Sequence, residues 1–458
     1  MDKNDILELE ITGMTLQGAG IARFEGVPVF VPAACTGDRL CARIVKVKSN
    51  CAFGRIEEII VPSPTREASG CQAFPRCGGC AFRHIGYEAE LALKQRELTE
   101  TLRRIGGVEV PIRPIVPAES PERYRNKALL PLCRLDGRIQ AGFYAPHSHR
   151  VVPCEDCLLA PKSFSPLTRA VLAWAEEVGC SLYDEESGKG LLRQIYLRQN
   201  REGSEILVTL VVNSSGVPRA DRLIQALRRQ SAAVKGILLN HNTLPGNTVL
   251  GPRCTTLWGA DRIAETLCGL RFELSPLSFF QVNPAQAEKL VGCAAAAAGA
   301  QEGDGKPVRL LDLYCGTGTI GLSVLRAFGG RGELLGVESA PQAVEDARRN
   351  AANNGFENAR FVCADAVAFA ARPPEGWRPD IILIDPPRKG CEAALLQHTA
   401  AMRPGRIVYI SCDPATLARD LALLAGHGYA AREAAPVDMF PRTGHVETVV
   451  RLERDFEH

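Results

Sequence analysis

The feature that most restricts the fold of this chain is a repeat of apolar strands and helical segments in its C-terminal third. From about residue 308 onward, five short apolar runs alternate with helical stretches. The runs are VRLLDLYC, ELLGVE, ARFVCAD, PDIILID and RIVYISC. Uniformly apolar strands that alternate with helices are typical of a parallel sheet covered by helices on both faces. We therefore predict a multidomain α/β protein whose C-terminal domain is Rossmann-like, with its ligand at the carboxyl ends of the strands.

The N-terminal residues follow a different pattern. Residues 6–60 alternate apolar and polar positions in short β-branched runs separated by turns, as in a small antiparallel barrel of about five strands. Between residues 39 and 55 all charges are basic, which suits either a phosphate-facing stripe or an ordinary solvated strand face. These basic residues are Arg39, Arg43, Lys46, Lys48 and Arg55. A Pro- and Ser-rich linker follows from Val61, so the first domain is predicted at residues 1–62.

A central domain of mixed α+β structure is predicted at residues 63–272. Amphipathic helices are expected over residues 87–105 and 220–229, among further strands. Between residues 123 and 150, six Lys or Arg residues are interleaved with five Tyr, Phe or His residues, against the single acid Asp136. Basic and aromatic side chains together suit unpaired nucleic acid, through phosphate contacts and base stacking. An ordinary sheet with one basic face would give the same pattern.

Overall composition narrows the class of protein. The formal charge of +2 does not by itself indicate a nucleic-acid-binding protein, because such domains are usually strongly basic. No apolar run approaches the roughly 18 residues of a membrane span, and no signal-peptide pattern opens the chain. An odd count of 17 cysteines in such a chain argues against a disulfide framework. We expect a cytoplasmic protein without a membrane partner, in which clustered or motif-bound cysteines are ligands or nucleophiles.

A glycine-rich turn, DLYCGTGTIG, follows the first strand of the C-terminal repeat and opens a helix. Gly316, Gly318 and Gly321 match the G-x-G-x-x-G spacing of a dinucleotide site, and Glu338 ends the next strand as a ribose-binding acid would. Acids stand at the ends of four successive strands, namely Asp312, Glu338, Asp365 and Asp385. Each acid alone would serve equally well as a helix N-cap. Together they suit a cationic, ribose-bearing ligand better than a nicotinamide.

One cysteine and one glutamate are candidates for chemistry at the same edge. The fifth strand delivers Cys412 there, where a thiol can act as a nucleophile. Cys315, inside the glycine-rich turn, is a rival thiol, although a small side chain packed under the ligand is its expected role. Glu447 precedes a terminal apolar strand, from which a carboxylate could return to the active edge as a base. A surface strand glutamate is the alternative for Glu447, and His445 is a second candidate base.

Three cysteines, Cys71, Cys77 and Cys80, lie within ten residues, and glycines between the last two let the chain fold around a metal. Such clustering in a reducing compartment indicates ligands. A fourth ligand must come from a distant segment, with Cys154 and Cys157 as the candidates. Zinc and iron-sulfur clusters both suit four thiolates, and spacing does not separate them.

The last 180 or so residues resemble the RNA uracil-5 methyltransferase family, whose members methylate tRNA or 23S ribosomal RNA. The shared motifs are SFFQVN, DLYCGTG, GVE, DPPRKG, SCDPATLARD and DMFPRTGHVET. This resemblance implies a C-terminal class I methyltransferase domain, taken as residues 273–458. It also implies that Cys412 adds to the uracil ring and that Glu447 accepts the proton from carbon 5.

The resemblance also implies a site for S-adenosylmethionine. Gln281, Tyr314, Glu338 and Asp385 would hold it, and Gly316 and Gly318 bring the backbone of the turn close to it. Asp365 stands where related enzymes can have Asn, and we include it among the cofactor-binding residues. The alternatives to this reading are a cytosine-5 RNA methyltransferase, a nicotinamide-dependent oxidoreductase and a non-catalytic factor that binds ribosomal RNA.

The N-terminal barrel resembles the TRAM domain, an RNA-binding module of the ribosomal-RNA members that is generally absent from the tRNA enzymes. The resemblance therefore favours 23S rRNA over tRNA as the RNA partner. Ribosomal members also carry a 4Fe-4S cluster, with CGGC and a later Cys before Leu-Ala-Pro. This implies an iron-sulfur cluster rather than zinc in the central domain, held by Cys71, Cys77, Cys80 and Cys157, with a structural or RNA-orienting role. We expect the protein to be a monomer.

Overall fold

The computed structural model describes residues 1–246, 248–300 and 307–455. Within these ranges the chain forms three large β-sheets, one in the N-terminal part, one in the centre and one in the C-terminal part, and a separate β-hairpin. Among the helices described we find no candidate for a membrane-spanning segment.

The N-terminal sheet has the strand order β1-β5-β6-β4-β3-β2. Its strands are β1 (Ile6–Glu10), β2 (Gly13–Met14), β3 (Ala19–Phe24), β4 (Val27–Pro32), β5 (Arg39–Val47) and β6 (Ala52–Val61). Alternate residues of β5, namely Leu40, Ala42 and Ile44, are buried in its core, as expected for a strand with one face turned inward. The predicted N-terminal β domain is confirmed, with six strands instead of about five.

Helix α1 (Tyr87–Gly106) follows the cysteine-rich segment and ends at Gly107, whose left-handed backbone conformation (φ 59°) closes the helix. The predicted helix is therefore present. Its buried face carries Leu98 and Leu102 into a core shared with Leu417 and Leu421 of the C-terminal part. The amphipathic pattern predicted a helix, and the structure shows that it packs on the C-terminal sheet layer.

The central sheet has the order β13-β12-β11-β10-β7-β8-β9, and helices α2 (Phe164–Glu177) and α3 (Ala220–Gln230) cover one of its faces. Its strands are β7 (Lys127–Leu135), β8 (Arg138–Tyr144), β9 (Val151–Pro153), β10 (Leu192–Gln199), β11 (Ile206–Val212), β12 (Val234–His241) and β13 (Arg253–Gly259). Because side chains alternate along β7, Ala128 and Leu130 pack under the helices. The residues between them face the opposite side of the sheet.

A hairpin of β14 (Ile263–Leu267) and β15 (Leu270–Leu274) precedes the C-terminal sheet. Its buried residues, including Phe272, share a core with Leu290 and Leu322 of the C-terminal helices. The hairpin therefore packs on the C-terminal part of the molecule. The boundaries placed after residues 62 and 272 remain predictions.

The C-terminal sheet has the order β18-β17-β16-β19-β20-β22-β21. Its strands are β16 (Val308–Leu313), β17 (Gly332–Glu338), β18 (Ala359–Cys363), β19 (Ile381–Ile384), β20 (Arg406–Ser411), β21 (Tyr429–Val437) and β22 (Glu447–Arg454). The helices that join or flank them are α4 (Pro284–Ala298), α5 (Thr319–Ala327), α6 (Pro341–Asn353), α7 (Ala366–Ala371), α8 (Ala393–Ala401) and α9 (Pro414–Gly426). The first five strands are parallel, which confirms the prediction of a doubly wound sheet.

The position of β22 sets the geometry of the functional edge. This strand lies between β20 and β21 and runs antiparallel to both. Its first residue, Glu447, therefore starts at the edge where the parallel strands end. Strand order reverses between β16 and β19, and ligands of such sheets bind in the crevice at that point.

Candidate active site

The glycine-rich turn after β16 forms the floor of the crevice. Tyr314, Gly316 and Gly318 all have positive φ angles, of 65°, 53° and 78°. A side chain at Gly316 would face open space, so its glycine serves the left-handed backbone, a conformation that glycine adopts without strain. Gly318 is the N-cap of α5. The turn thus brings backbone groups to the surface of the crevice, as cofactor-binding turns do.

Carboxyl groups crowd around this turn. Glu338 accepts hydrogen bonds from the N–H groups of Gly316 (3.2 Å) and Ala340 (2.9 Å). Beneath the turn, Asp312 is buried and accepts from the N–H of Gly321 at 3.1 Å. Burial and the neighbouring Asp385 raise the pKa of Asp312 to about 8. Burial also raises the pKa of Asp385 to about 7. A bound cation would relieve the repulsion among these acids.

Asp365 differs from the other three acids at the strand ends. Its side chain accepts from the N–H of Ala368 at 3.0 Å and caps the start of α7. This is the helix-capping role that each acid could have served on the sequence alone. The structure gives Asp365 a local partner that does not depend on a ligand.

Gln281 lies in the segment that leads into α4, between the central sheet and the glycine-rich turn. Its backbone carbonyl accepts from the side-chain amide of Asn126 at 3.1 Å, and the N–H of Asn126 donates to Val282 at 2.8 Å. Close by, the hydroxyl of Thr317 in the turn donates to the carbonyl of Phe279 at 3.4 Å. The central domain therefore helps to position this segment. The sequence analysis did not identify Asn126, although it lies within the basic and aromatic segment at residues 123–150.

Cys412 and Glu447 meet at the carboxyl edge. Ser411 at the end of β20 pairs with Thr448 of β22 in the antiparallel ladder. The next residues outward are Cys412 and Glu447, and the charge of Glu447 acts on the Cys412 thiol, so the two side chains lie near each other at this edge. Cys412 is half-buried, and Glu447 is only 5% exposed.

The electrostatics of this pair involve two further residues. Burial, together with the charges of Glu447 and Asp385, raises the pKa of the Cys412 thiol to about 11, and Arg388 opposes the shift. Burial and Asp385 also raise the pKa of Glu447 to about 8, again against Arg388. Arg388 is therefore the cation that favours both anionic forms. It stands inside the DPPRKG motif, which was the sequence signal for it.

The loop that carries Arg388 is anchored on α9. Asp420 accepts from the N–H of Cys391 at 2.8 Å and from the hydroxyl of Tyr409 at 2.5 Å. Arg419 donates to the carbonyl of Lys389 at 3.0 Å. These bonds link the loop after β19 to the helix that follows Cys412. Neither Asp420 nor Arg419 was singled out from the sequence.

The rival groups have different surroundings. Cys315 is 7% exposed and packs in the core beneath Gly336, where an added Cβ would lie 2.9 Å from its sulfur. Burial holds the pKa of its thiol well above the ordinary value. His445 lies 3.4 Å from Arg388, from Nε2 to the guanidinium. Burial and the charge of Arg388 lower the pKa of His445 to about 4, so it is a weak base near neutral pH.

A second cavity, of about 430 Å³, lies on the face of the central sheet opposite α2 and α3. All five candidate cysteine ligands line it, namely Cys71, Cys77, Cys80, Cys154 and Cys157. The cations Arg83, Arg125 and Lys127 line it too. Every cysteine of the chain is a free thiol. Within the described ranges, no group of three or more His, Cys, Asp or Glu side chains has the arrangement that holds a single metal ion.

The basic residues of the N-terminal sheet are largely paired. Arg39 forms an ion pair with Glu8 at 2.8 Å, and Arg43 and Arg55 both bind Glu57, at 2.9 and 2.8 Å. The acids come from outside residues 39–55, so the all-basic segment folds into a face of mixed charge. These contacts favour the solvated strand face over a continuous phosphate-binding stripe.

In the basic and aromatic segment, individual residues have distinct neighbours. Arg123 pairs with Asp156 at 2.6 Å, and Tyr144 stacks on His149 with ring centroids 5.3 Å apart. Lys127 lies 5.6 Å from the ring centroid of Phe279, a phenylalanine that is 62% exposed. The exposed ring of Phe279 beside Lys127 is compatible with stacking of a nucleic-acid base at this end of the segment.

Comparison with known proteins gives a consistent picture. The family model described as tRNA (uracil-5-)-methyltransferase matches residues 267–455, and the TRAM domain model matches residues 3–56. A protein of Halalkalibacterium halodurans named as an uncharacterized RNA methyltransferase is 39% identical over 459 residues, covering 99% of this chain and 98% of that protein. One of Clostridium acetobutylicum with the same description is 39% identical over 456 residues, with the same coverage.

Among solved structures, the tRNA (uracil-54, C5)-methyltransferase of Pyrococcus abyssi in complex with S-adenosyl-L-homocysteine is similar to this chain. The two are 26% identical and superpose with a TM-score of 0.77, over 97% of this chain and 99% of the other. The similarity extends through all three sheets.

Proposed function

Because the chain belongs to the family of RNA methyltransferases with a tRNA (uracil-5-)-methyltransferase domain and an N-terminal TRAM domain, we propose that it methylates carbon 5 of a uridine, with 23S rRNA as the RNA substrate. The observation that carries this proposal is the proximity of Cys412 and Glu447, which follow the last pair of the ladder between β20 and β22 and interact electrostatically, beside an acidic crevice. Membership of this family also sets aside the nicotinamide-dependent oxidoreductase.

The residues of the crevice fit S-adenosylmethionine, which supplies a methyl group activated by a sulfonium charge. Burial raises the pKa values of both Asp312 and Asp385, and Asp385 adds to the shift at Asp312, so a cationic ligand would stabilise their charged forms. Glu338 ends β17 where an acid can bind ribose hydroxyls. We assign Gln281 and Tyr314 to the same site, with Gly316 and Gly318 giving close access to the backbone. Asp365 remains the least direct of the proposed contacts, since it caps α7.

The proposed reaction uses Cys412 and Glu447 in sequence. The Cys412 thiolate forms a bond to carbon 6 of uracil, and the electron pair of the C5=C6 bond moves onto the carbon 4 carbonyl as an enolate. Carbon 5 would then take the methyl group from the sulfonium of S-adenosylmethionine, whose sulfur–methyl bond would break to leave S-adenosylhomocysteine. Glu447 removes the proton from carbon 5, the double bond re-forms, and the bond between sulfur and carbon 6 breaks. Arg388 assists by favouring the thiolate, since it opposes the rise in the pKa of Cys412.

The cysteine cavity fits an iron-sulfur cluster better than one zinc ion. A zinc ion draws four sulfurs to about 2.3 Å from a single point, and the described side chains show no such arrangement. A 4Fe-4S cluster binds each thiolate to a different iron and needs a larger space, as the cavity of about 430 Å³ provides. Cys71, Cys77, Cys80 and Cys157 would hold it and tie two distant segments of the chain together. Cys154 lines the same cavity and would be a neighbour of the cluster.

A tRNA substrate is the second candidate. The Pyrococcus abyssi enzyme acts on tRNA by its name and superposes over 97% of this chain, so its match includes the N-terminal domain. The TRAM domain therefore does not separate the two RNA classes as sharply as the sequence resemblance implied. Cytoplasmic location and a monomeric state remain predictions.

One labelling experiment tests the function. The purified protein is incubated with S-adenosylmethionine labelled in its methyl group and with unmodified 23S rRNA or tRNA transcripts, and the RNA is then digested to nucleosides. We expect labelled 5-methyluridine in 23S rRNA. Labelled 5-methyluridine in tRNA alone would assign the second candidate, and labelled 5-methylcytidine would make the protein a cytosine-5 enzyme. Absence of label from every RNA would favour a non-catalytic factor.

A further inference from the structure

The loop that leads to the proposed base is held from several directions. This base loop, residues 438–446, joins β21 to β22, and its flanking residues Val437 and Glu447 pair with each other in the ladder. The loop is therefore closed at its root. The other contacts of the loop determine its position. Because Glu447 is the first residue of β22, these contacts also affect the position of the base.

Helix α1 supplies the first set of contacts. The ammonium group of Lys94 donates to Asp438 at 2.7 Å, to Glu90 at 2.7 Å and to the carbonyl of Phe440 at 3.2 Å. The hydroxyl of Tyr87 donates to the second carboxylate oxygen of Asp438 at 2.6 Å. The side chains of Glu90, Lys94 and Asp438 are fully buried. Buried charges persist only when paired with good geometry, so this network fixes the start of the loop on α1.

Arg442 supplies the second set. Its backbone N–H donates to Glu90 at 2.7 Å, and its guanidinium donates to the carbonyl of Ile85 at 2.8 Å. Its carbonyl accepts from the N–H groups of Ala81 (2.8 Å) and Phe82 (3.2 Å). Ala81 follows Cys80 directly in the chain. The segment that carries the cysteines is thus bonded to the base loop.

The N-terminal sheet closes the third side. An added Cβ at Gly444 would lie 1.9 Å from the carbonyl oxygen of Leu16, and one at Gly18 would lie 2.2 Å from that of Ala81. The turn between β2 and β3 therefore touches both the base loop and the cysteine segment. Three parts of the molecule that are distant in sequence meet at this loop and leave it little room to shift.

We propose that Glu90, Lys94 and Arg442 are positioning residues that hold the base loop, and through it the base, in register with the nucleophile. This inference rests on the proposed function and adds that different parts of the fold position the nucleophile and the base. The thiol directly follows the end of β20 and depends on the parallel sheet, whereas the base depends on contacts from α1 and the cysteine segment. Loss of these contacts should therefore slow proton removal while addition of the thiol continues.

The test uses the full-length protein with S-adenosylmethionine and a uridine-containing transcript that the wild type methylates. Glu90→Ala removes the shared acceptor of Lys94 and Arg442. Arg442→Gly removes the side chain while keeping the positive φ of 68°, which glycine adopts without strain. For both variants we expect kcat to fall roughly 10- to 100-fold, the range for a misplaced catalytic group, with KM for RNA unchanged. A denaturant-resistant complex of protein and RNA should accumulate, and it should vanish when Cys412→Ala is added.

Two control variants separate positioning from general stability. Glu90→Gln keeps a carbonyl acceptor and should restore release of the RNA. Arg66→Met breaks an ion pair of similar burial, with side chains 19% and 0% exposed for Arg66 and Asp38, and should lower stability without trapping RNA. The inference is wrong if the amount of covalent complex in Glu90→Ala and Arg442→Gly falls in proportion to their methylation activity. It is also wrong if both variants turn over normally. If the wild type forms no complex with 5-fluorouridine RNA, the proposed function itself fails.

Discussion

Cys412 and Glu447 are the next residues after Ser411 and Thr448, the last pair of the ladder between β20 and β22, and the charge of Glu447 acts on the Cys412 thiol. The antiparallel insertion of β22 brings a residue near the C-terminus back to the edge where the parallel strands end. A thiol and a carboxyl group on the same face can then act on adjacent carbons of one ring. Most of the chemistry proposed for this protein depends on that pairing.

The first prediction concerns the identity of the nucleophile. Cys412→Ala should abolish methylation and also the denaturant-resistant adduct with 5-fluorouridine RNA, because Cys412 is the thiol whose pKa responds to the proposed base, Glu447. Cys315→Ala should keep adduct formation and lose roughly 1 kcal/mol of stability, a typical cost for a core substitution, since Cys315 packs beneath Gly336. Gel electrophoresis in denaturant measures the adduct. The reverse pattern would transfer the nucleophile to Cys315.

The second prediction concerns the base. Glu447→Gln should add to uridine and accept the methyl group at carbon 5 yet release the RNA slowly, with kcat reduced about 10²- to 10⁴-fold, the usual contribution of general base catalysis. Covalent complex should therefore accumulate on ordinary uridine RNA. Glu453→Gln, on the same strand but away from the edge, is the matched control and should turn over normally. Normal turnover by Glu447→Gln would remove Glu447 from the mechanism.

The third prediction concerns pH and the reactivity of the Cys412 thiol in the protein without ligands. Because its pKa is raised to about 11, alkylation by iodoacetamide should speed up about tenfold per pH unit below that value, since only the thiolate reacts. The charge of Glu447 raises this pKa, so Glu447→Gln should lower it and speed alkylation. Glu447 itself ionises near pH 8, so the difference from wild type should be small below pH 8 and grow above it.

Arg388→Gln should have the opposite effect on the same thiol. Arg388 favours the thiolate, so its loss should raise the pKa of Cys412 further and slow alkylation. Mass spectrometry of the modified peptides reports the rate at Cys412, with the exposed Cys363 as an internal reference. Equal rates in wild type and both variants would show that these charges do not act on the thiol.

The sequence predicted the parallel strands well because strands covered on both faces are uniformly apolar, as in β19, whose four residues are all buried. It did not predict where α1 packs. Amphipathic periodicity shows that a helix has an apolar face but not which surface covers it. The sequence also placed Glu447 only at the entrance to a strand. Its position beside the active edge depends on the insertion of β22 between β20 and β21, and the local sequence pattern does not give the order of strands in a sheet.

The buried charge network was beyond sequence reasoning for a related reason. Lys94 and Asp438 are separated by 344 positions in the chain, and each alone resembles an ordinary surface charge. Likewise, Glu8 and Glu57 neutralise arginines of a segment that carries no acid of its own. Pairings of this kind arise from the register of strands and the contacts between domains, which local composition does not contain.

The fourth prediction concerns the cofactor. S-adenosylmethionine should raise the melting temperature and NADH should not, since a ligand stabilises only the protein that binds it. Glu338→Gln should weaken S-adenosylmethionine binding roughly 10- to 100-fold, the loss expected for hydrogen bonds to a charged group. Asp365→Asn should bind normally, because its carboxylate caps α7 and asparagine is an equally good cap. Titration calorimetry measures both, and weaker binding by Asp365→Asn would make Asp365 a direct ligand contact.

The last prediction concerns the cysteine cavity. Protein purified without oxygen should be brown and contain iron and acid-labile sulfide, because five thiols line one cavity and four thiolates can hold a 4Fe-4S cluster. Cys157→Ala should lose the iron, whereas Cys154→Ala, at a second thiol lining the same cavity, should keep it. Colourless protein that contains only zinc would overturn the assignment. If Cys154→Ala lost the iron and Cys157→Ala kept it, the fourth ligand of the cluster would be Cys154 and not Cys157.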